Sequence, residues 1–239
     1  MLNQDEQKIL VATTAIDTLI AEKKIFSGMK IGLGTGSTAL PAVKRLAERI
    51  ADGTLTDIEA VPTSFQTANY CQDLDIPVYS LNHRSIGGHL DLTIDGADAI
   101  DPQNNLIKGG GAALLREKIV AYNSTNYAIV ADGSKIVPNL GTKFPLPVEI
   151  IAEARQSIIT ALERMGAFCT LREGVRKCGP VITDCGNQIL DCLWQIPVDP
   201  EKMEDAINGI PGVVETGFFT KHRPVVFYST QDGNVEIRR

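Results

Sequence analysis

Long apolar runs, a basic excess and ordered cysteine pairs are all missing from this 239-residue sequence. No apolar run approaches the roughly eighteen residues of a membrane-spanning helix. The opening MLNQDEQKIL has acids and polar groups where a secretory signal has a basic start and an apolar stretch, so a cytoplasmic location is expected. A formal net charge of −6 argues against a nucleic acid or an anionic membrane as the main partner and leaves a small ligand. The five cysteines, Cys71, Cys169, Cys178, Cys185 and Cys192, are odd in number and include no C-x-x-C pair. That argues against a disulfide framework and a zinc ribbon, so free thiols are expected; Cys169 to Cys192 read as strand positions in a core, with metal ligation the weaker alternative. His83, His89 and His222 are too scattered to serve as ligands. With neither a Pro/Ser-rich tract nor a block of like charge, the chain is expected to fold throughout.

What the sequence does have is alternating strand and helix patterns over its first half. Ile9, Ala12, Ile16, Leu19 and Ile20 recur at helical spacing, so an amphipathic helix is expected over Asp5 to Ala21. Met29 to Leu33 reads as a strand, Gly34-Thr35-Gly36-Ser37-Thr38 as a turn, and Ala39 to Ile50 as a helix. Further strands are expected at Ile58 to Val61, Ile76 to Ser80, Asp91 to Asp95 and Tyr127 to Ala131, with helices over Thr63 to Leu74 and Ala112 to Tyr122. This alternation implies an α/β fold with a Rossmann-like parallel sheet covered on both faces. After Asp132 the order becomes strand, helix, three strands, helix, strand, with Val181 to Asp184 and Gln188 to Trp194 as a hairpin. A second, smaller antiparallel α+β domain of ferredoxin-like kind is expected there. The boundaries read from the sequence are 1–132 plus 220–239 for the first domain and 133–219 for the second, with the PVVFYST and VEIRR strands returning to the first.

The GTGST turn suits a phosphate, because glycines let backbone amides approach the oxygens while Thr35, Ser37 and Thr38 add hydroxyls. A dinucleotide fingerprint fails: Ser37 stands where the third glycine belongs, and Pro62-Thr63-Ser64 after the next strand offers no ribose-binding acid. No Gly-Lys-Ser/Thr follows, which excludes a P-loop. The richest stretch is Asp91 to Tyr122, DLTIDGADAIDPQNNLIKGGGAALLREKIVAY. It places Asp95 at a strand end and Asp98 just beyond, then Lys108 and three glycines ahead of a helix that carries Glu117. Ligands of such sheets bind at the carboxyl ends of the strands, which should bring the turn, Asp95 and Lys108 to one rim.

GLGTGST at 32–38, IDGAD at 94–98, IKGGGAALLREKI at 107–119, ADGSK at 131–135 and KFPLPVEI at 143–150 resemble, in order and spacing, the signatures of the type A ribose-5-phosphate isomerases. The similarity extends through TDCGN at 183–187 and INGIPGVVETGFF at 207–219, with Ala99 and Cys185 as small departures. The resemblance implies interconversion of D-ribose 5-phosphate and D-ribulose 5-phosphate in the pentose phosphate pathway, with no cofactor and no metal. It also implies a homo-oligomer, a dimer or larger. It implies Glu117 as the base, with Asp95 and Lys108 as its catalytic partners. Substrate binding is implied for Thr35, Gly36, Ser37, Thr38, Asp95, Gly96, Ala97, Asp98, Lys108, Gly109, Gly110, Gly111, Lys135 and Lys8.

Periodicity alone says something different about Glu117. It gives the helix a buried stripe of Leu115, Ile119 and Tyr122 and puts Glu117 on the opposite, solvated side. By the same bland standard Lys108 is a surface charge, Lys8 a solvated lysine, Lys135 a charge at a domain junction and Asp95 a turn acid. Two other classes compete with the isomerase: an amino-sugar phosphate deaminase or coenzyme A transferase of similar architecture, and a non-catalytic sugar-phosphate sensor. The sensor is disfavoured because the chain has neither room nor a basic patch for a DNA-binding helix-turn-helix.

Overall fold

Asn3 and Glu6 close a capping box at the start of the first helix of the structure, a computed structural model that describes residues 2–239. The Glu6 N–H donates to Asn3 Oδ1 and the Asn3 N–H to Glu6 Oε2, which satisfies two otherwise bare amides. In chain order the elements are α1 (Gln4–Ala21), β1 (Lys30–Leu33), α2 (Ala39–Ala51), β2 (Glu59–Pro62), α3 (Phe65–Asp73), β3 (Leu90–Asp95), β4 (Ala99–Ile100) and β5 (Leu106–Ile107). There follow α4 (Leu114–Tyr122), β6 (Ser124–Asp132), β7 (Leu146–Ile150), α5 (Arg155–Arg164), β8 (Ala167–Leu171) and β9 (Gln188–Trp194). The last are α6 (Pro200–Asn208), β10 (Val213–Thr216), β11 (Phe218–Phe219), β12 (Val225–Ser229) and β13 (Val235–Arg238). One unit takes the chain up to Gly96 together with Arg116–Lys135 and Pro224–Arg239; the other takes Ala97–Leu115 and Ile136–Arg223. Among the described residues no helix is long and apolar enough to cross a membrane.

The first unit is built on a six-stranded sheet in the order β13-β12-β6-β3-β1-β2. Its pairings are parallel from β2 through β12, and β13 adds an antiparallel edge. Parallel strands are buried on both faces, and alternate side chains go to different cores. Ile31, Leu33, Leu92 and Ile94 join Val11, Ala15 and Ile16 of α1 and Val43 and Leu46 of α2. Gly32 and Thr93 face α4 instead: Thr93 shares a 2.6 Å hydrogen bond with Ser124, and a Cβ on Gly32 would strike Thr93 Oγ1 and Val120 Cγ1. Glycine at 32 is therefore what lets α4 pack this close to the sheet.

The second unit holds a four-stranded antiparallel sheet in the order β10-β7-β9-β8, with α5 after β7 and α6 after β9. That is the split β-α-β arrangement of ferredoxin-like domains. Its core runs through Leu146, Val148, Ile158, Leu162, Leu190 and Trp194. A small sheet of β11, β5 and β4 belongs to the same unit, which is why residues 97–115 cluster there.

Four expectations of local structure need correction. Ile76 to Ser80 makes only a single bridge, Val78 to Ala60, because Pro77 has no N–H to continue a ladder. Val181 to Asp184 is not a strand: both edges of β9 are taken, by β7 and β8, so two strands rather than three lie between α5 and α6. The run Val213 to Phe219 breaks at Gly217 into β10 and β11, which serve different sheets. Ile9 is 57% exposed, and the buried face of α1 is carried by Val11, Ala12, Ala15, Ile16 and Leu19.

Candidate active site

In the first unit the site starts from the close approach of the 34–38 turn to the end of β3. Asp95 is fully buried, and its Oδ1 accepts the N–H of Thr35 at 3.0 Å and that of Gly96 at 2.7 Å. A Cβ at Gly34 would occupy the space of the Asp95 carboxylate, so only glycine permits this junction. Gly36 then turns with φ +96°, a conformation that glycine adopts without strain. Thr38 precedes α2 without a side-chain capping bond, while Leu40 donates to Gly36 O. A helix start with bare amides favours an anion.

The hydroxyls of the turn divide between two tasks. Thr35 Oγ1 lies 2.7 Å from Thr63 Oγ1, donates to Ser64 Oγ at 2.7 Å and lies 3.3 Å from Thr67 Oγ1. Thr67 Oγ1 in turn donates to Gly34 O at 2.8 Å. The Thr35 hydroxyl is thus committed to the protein, whereas Ser37 is exposed. Thr63, Ser64 and Thr67 were not singled out from the sequence. Their signal was the unusual Pro-Thr-Ser at the carboxyl end of β2, the same stretch that argued against a nucleotide.

Glu117 is 4% exposed, which overturns the solvated position that periodicity assigns it. α4 buries Leu114, Glu117, Lys118, Val120 and Ala121, whereas Ile119 is 44% exposed. Tyr127 on β6 is opposite Thr93 in the sheet register, and its phenol is held well above the ordinary tyrosine range. Burial is the main cause, and the Asp95 and Glu117 carboxylates add to it. One phenol therefore feels both acids. Lys135 closes a short 3-10 turn behind β6, where the buried Asp132 accepts the Ser134 N–H at 3.0 Å. Lys8 pairs with Asp5 at 3.3 Å on α1, and its side chain is only 13% exposed.

In the second unit the glycine loop is fixed by hydrogen bonds on both sides. Asp98 Oδ2 accepts the Gly110 N–H at 2.7 Å. Arg172 donates through one terminal nitrogen to Gly109 O at 2.8 Å and Gly110 O at 3.1 Å, and grips both oxygens of Asp191 with its remaining N–H groups at 2.9 and 2.5 Å. Neither Arg172 nor Asp191 stood out in the sequence, since one arginine in an alternating strand has no distinguishing pattern. Lys108 is 2% exposed rather than a surface charge; its N–H donates to Gly217 O at 2.9 Å and its ammonium lies 5.6 Å from the Phe219 ring centre.

The helix after this loop begins at Leu114 instead of Ala112. Ala112 has φ +59°, and its N–H closes a turn onto Gly109 O, so residues 109–112 are loop. Glu149 of β7 stands at the helix start, taking hydrogen bonds from Leu115 N–H, Thr183 Oγ1 and Asn187 Nδ2. Burial raises its pKa and those three donors offset part of the rise. Among the described residues no three His, Cys, Asp or Glu side chains are grouped to hold a metal ion.

Comparison with known proteins bears on the whole chain. Residues 59–233 match the family model of ribose 5-phosphate isomerase A, also called phosphoriboisomerase A. Ribose-5-phosphate isomerase A of Treponema denticola is 59% identical over 98% of this chain and 99% of its own. The protein of that name from Treponema pallidum is 54% identical over 99% of this chain and 94% of its own. Among solved structures, a D-ribose-5-phosphate isomerase in complex with phospho-erythronic acid superposes with a TM-score of 0.93 at 40% identity, covering 100% of both chains. The ribose 5-phosphate isomerase A of Methanocaldococcus jannaschii gives a TM-score of 0.88 at 41% identity, covering 98% of both.

Proposed function

This chain belongs to the ribose 5-phosphate isomerase A family, and on that premise we propose that it interconverts D-ribose 5-phosphate and D-ribulose 5-phosphate. The observation that carries the reading is the near-complete, 59% identical match to a relative of that name. The reaction moves a proton between adjacent carbons through an enediolate, as a cofactor-free step of the non-oxidative pentose phosphate pathway. It requires a base, charge stabilisation and a hold on the phosphate.

Glu117 is the base. A positioned carboxylate that takes the substrate proton and returns it to the next carbon is worth about 10²–10⁴ in rate. Lys108 and the amides of Gly109 and Gly111 stabilise the oxygen that gains charge, where a donor already in place is worth about 10²–10³, while Gly110, its N–H held by Asp98, shapes the loop. The fixing of Gly109 and Gly110 by Asp98 and Arg172 supports this, because preset donors need no reorganisation as charge develops. Asp95 assists ring opening and passes protons between the two oxygens, and Asp98 with Gly96 and Ala97 orients hydroxyls. The phosphate is held by Gly36, Ser37 and Thr38, with Thr35 fixing the turn through Asp95 and with Lys135 and Lys8 supplying positive charge.

The test is turnover of ribose 5-phosphate by purified protein with chelator present. Interconversion at ordinary enzyme rates is expected, and no turnover would overturn the proposal. Phospho-erythronic acid, which carries a carboxylate as well as a phosphate, is expected to inhibit competitively. The family premise also leads us to place the protein in the cytoplasm as a homodimer or larger; light scattering giving the 25.8 kDa of one chain would contradict the assembly.

A further inference from the structure

Two of the five cysteines stand directly opposite each other in the antiparallel sheet of the second unit: Cys169 on β8 and Cys192 on β9. The hydrogen bonds around them fix what kind of pair they form. Arg172 N–H donates to Ile189 O in the same register, so residues 172 and 189 are a hydrogen-bonded pair. Pairs alternate along an antiparallel ladder, which makes 170 with 191 hydrogen-bonded and 169 with 192 not. The far end agrees: Trp194 N–H points away from β8, to Gly141 O, as it must in a non-hydrogen-bonded pair with Ala167. Non-hydrogen-bonded partners bring Cα atoms to about 4.5 Å with their side chains leaning together, inside the range of about 4.4–6.8 Å that a disulfide spans.

The two thiols share one face of the sheet. Cys192 is fully buried in the core of this unit, and Cys169 is half-buried and packs against that core. The Cys192 S–H donates to Leu190 O at 3.9 Å, and its sulfur faces that of Cys169 across the pair. The neighbouring Cys192 thiol holds Cys169 below the usual thiol range, while the Cys169 thiol and burial hold Cys192 well above it. The partly exposed sulfur is thus the better nucleophile and the buried one is ready to resolve it. Cys71 lacks such an arrangement, since it is buried and burial alone pushes its thiol to about 11.

We propose that Cys169 and Cys192 are an oxidisable pair that forms an intrachain disulfide when the protein meets hydrogen peroxide. The Cys169 thiolate attacks a peroxide oxygen: an S–O bond forms, the O–O bond breaks and hydroxide leaves to become water. Cys192 then attacks the sulfenic sulfur, forming S–S and breaking S–O, and its proton leaves with the departing oxygen as a second water. Two thiols lose two electrons in all, and the peroxide is reduced to two waters. The bond would lie one register step from Thr170 and Asp191, on the strands that carry the Arg172–Asp191 grip.

The experiment treats the folded chain with hydrogen peroxide, blocks remaining thiols and maps tryptic peptides before and after a dithiol reductant. Free thiols should fall from five to three, with a mass loss of about 2 Da that the reductant reverses. Trypsin leaves Cys169 in peptide 165–172 but Cys178, Cys185 and Cys192 together in 178–202. The Cys178→Ser/Cys185→Ser double variant therefore identifies the partner, and it should still join the two peptides. Cys169→Ser should abolish the link. Should peroxide instead close Cys178 onto Cys185, or carry Cys169 to the sulfinic acid while Cys192 stays a free thiol, the proposal fails.

Discussion

The carboxylate of Asp95 and the amide of Thr35 meet at 3.0 Å, joining the end of β3 to the turn that follows β1. Because the same oxygen also takes the Gly96 N–H, one atom sets the backbone on both sides of the site. Removing it with Asp95→Ala should cost about 1.5–3 kcal/mol, the range for hydrogen bonds to a charged group, read as a lower urea midpoint. Asp95→Asn keeps an acceptor oxygen and should retain most of that stability while losing most turnover. Wild-type turnover in the asparagine variant would show that the charge has no catalytic part.

Glu117→Gln keeps the shape of a side chain buried on α4 and removes its basicity. The expected result is an unchanged unfolding midpoint with kcat lower by about 10²–10⁴. Turnover within a few-fold of wild type would exclude Glu117 as the base.

Arg172 and Asp191 hold the carbonyls of Gly109 and Gly110 as a unit. Arg172→Ala and Asp191→Ala should each lower kcat more than they raise KM, because the loop amides matter most when charge develops. The double variant should be little worse than either single one, with a coupling of about 0.5–3 kcal/mol in the cycle. Strict additivity would mean that the two do not act together.

Glu149 gives a pH-dependent prediction. Its folded pKa is raised by burial above the ordinary carboxylate value, so its contribution to stability is full below the unfolded pKa and is lost as pH rises through the folded one. Glu149→Gln retains an acceptor for Thr183 and Asn187 without a charge to bury. Its Tm relative to wild type should therefore climb over the range that starts at the ordinary carboxylate pKa and runs upward in pH. A Tm difference that stays flat over this range would remove the linkage.

Lys108 proposes its own check through the aromatic ring beside it. Its ammonium lies over Phe219, and Lys108→Ala should lower kcat as well as raise KM; a change in KM alone would mean that Lys108 binds substrate and transition state equally.

The sequence by itself determined the alternation of strands and helices, the parallel sheet, the change to an antiparallel α+β unit, and the cluster of motifs that identifies the family. These are legible because backbone geometry imposes short periods on apolar residues and because glycine marks the places where side chains do not fit. Tertiary structure alone decided that Glu117 and Lys108 are buried, that the Thr35 hydroxyl is tied to Thr63, Ser64 and Thr67, and that Arg172 holds the glycine loop. Periodicity chose the wrong face of α4 because it equates buried with apolar, and a helix that lays a carboxylate and an ammonium along its inner stripe breaks that equation. The other assignments depend on partners up to 63 residues away, as in Arg172 with Gly109, and no local pattern encodes which distant carbonyl a guanidinium will find.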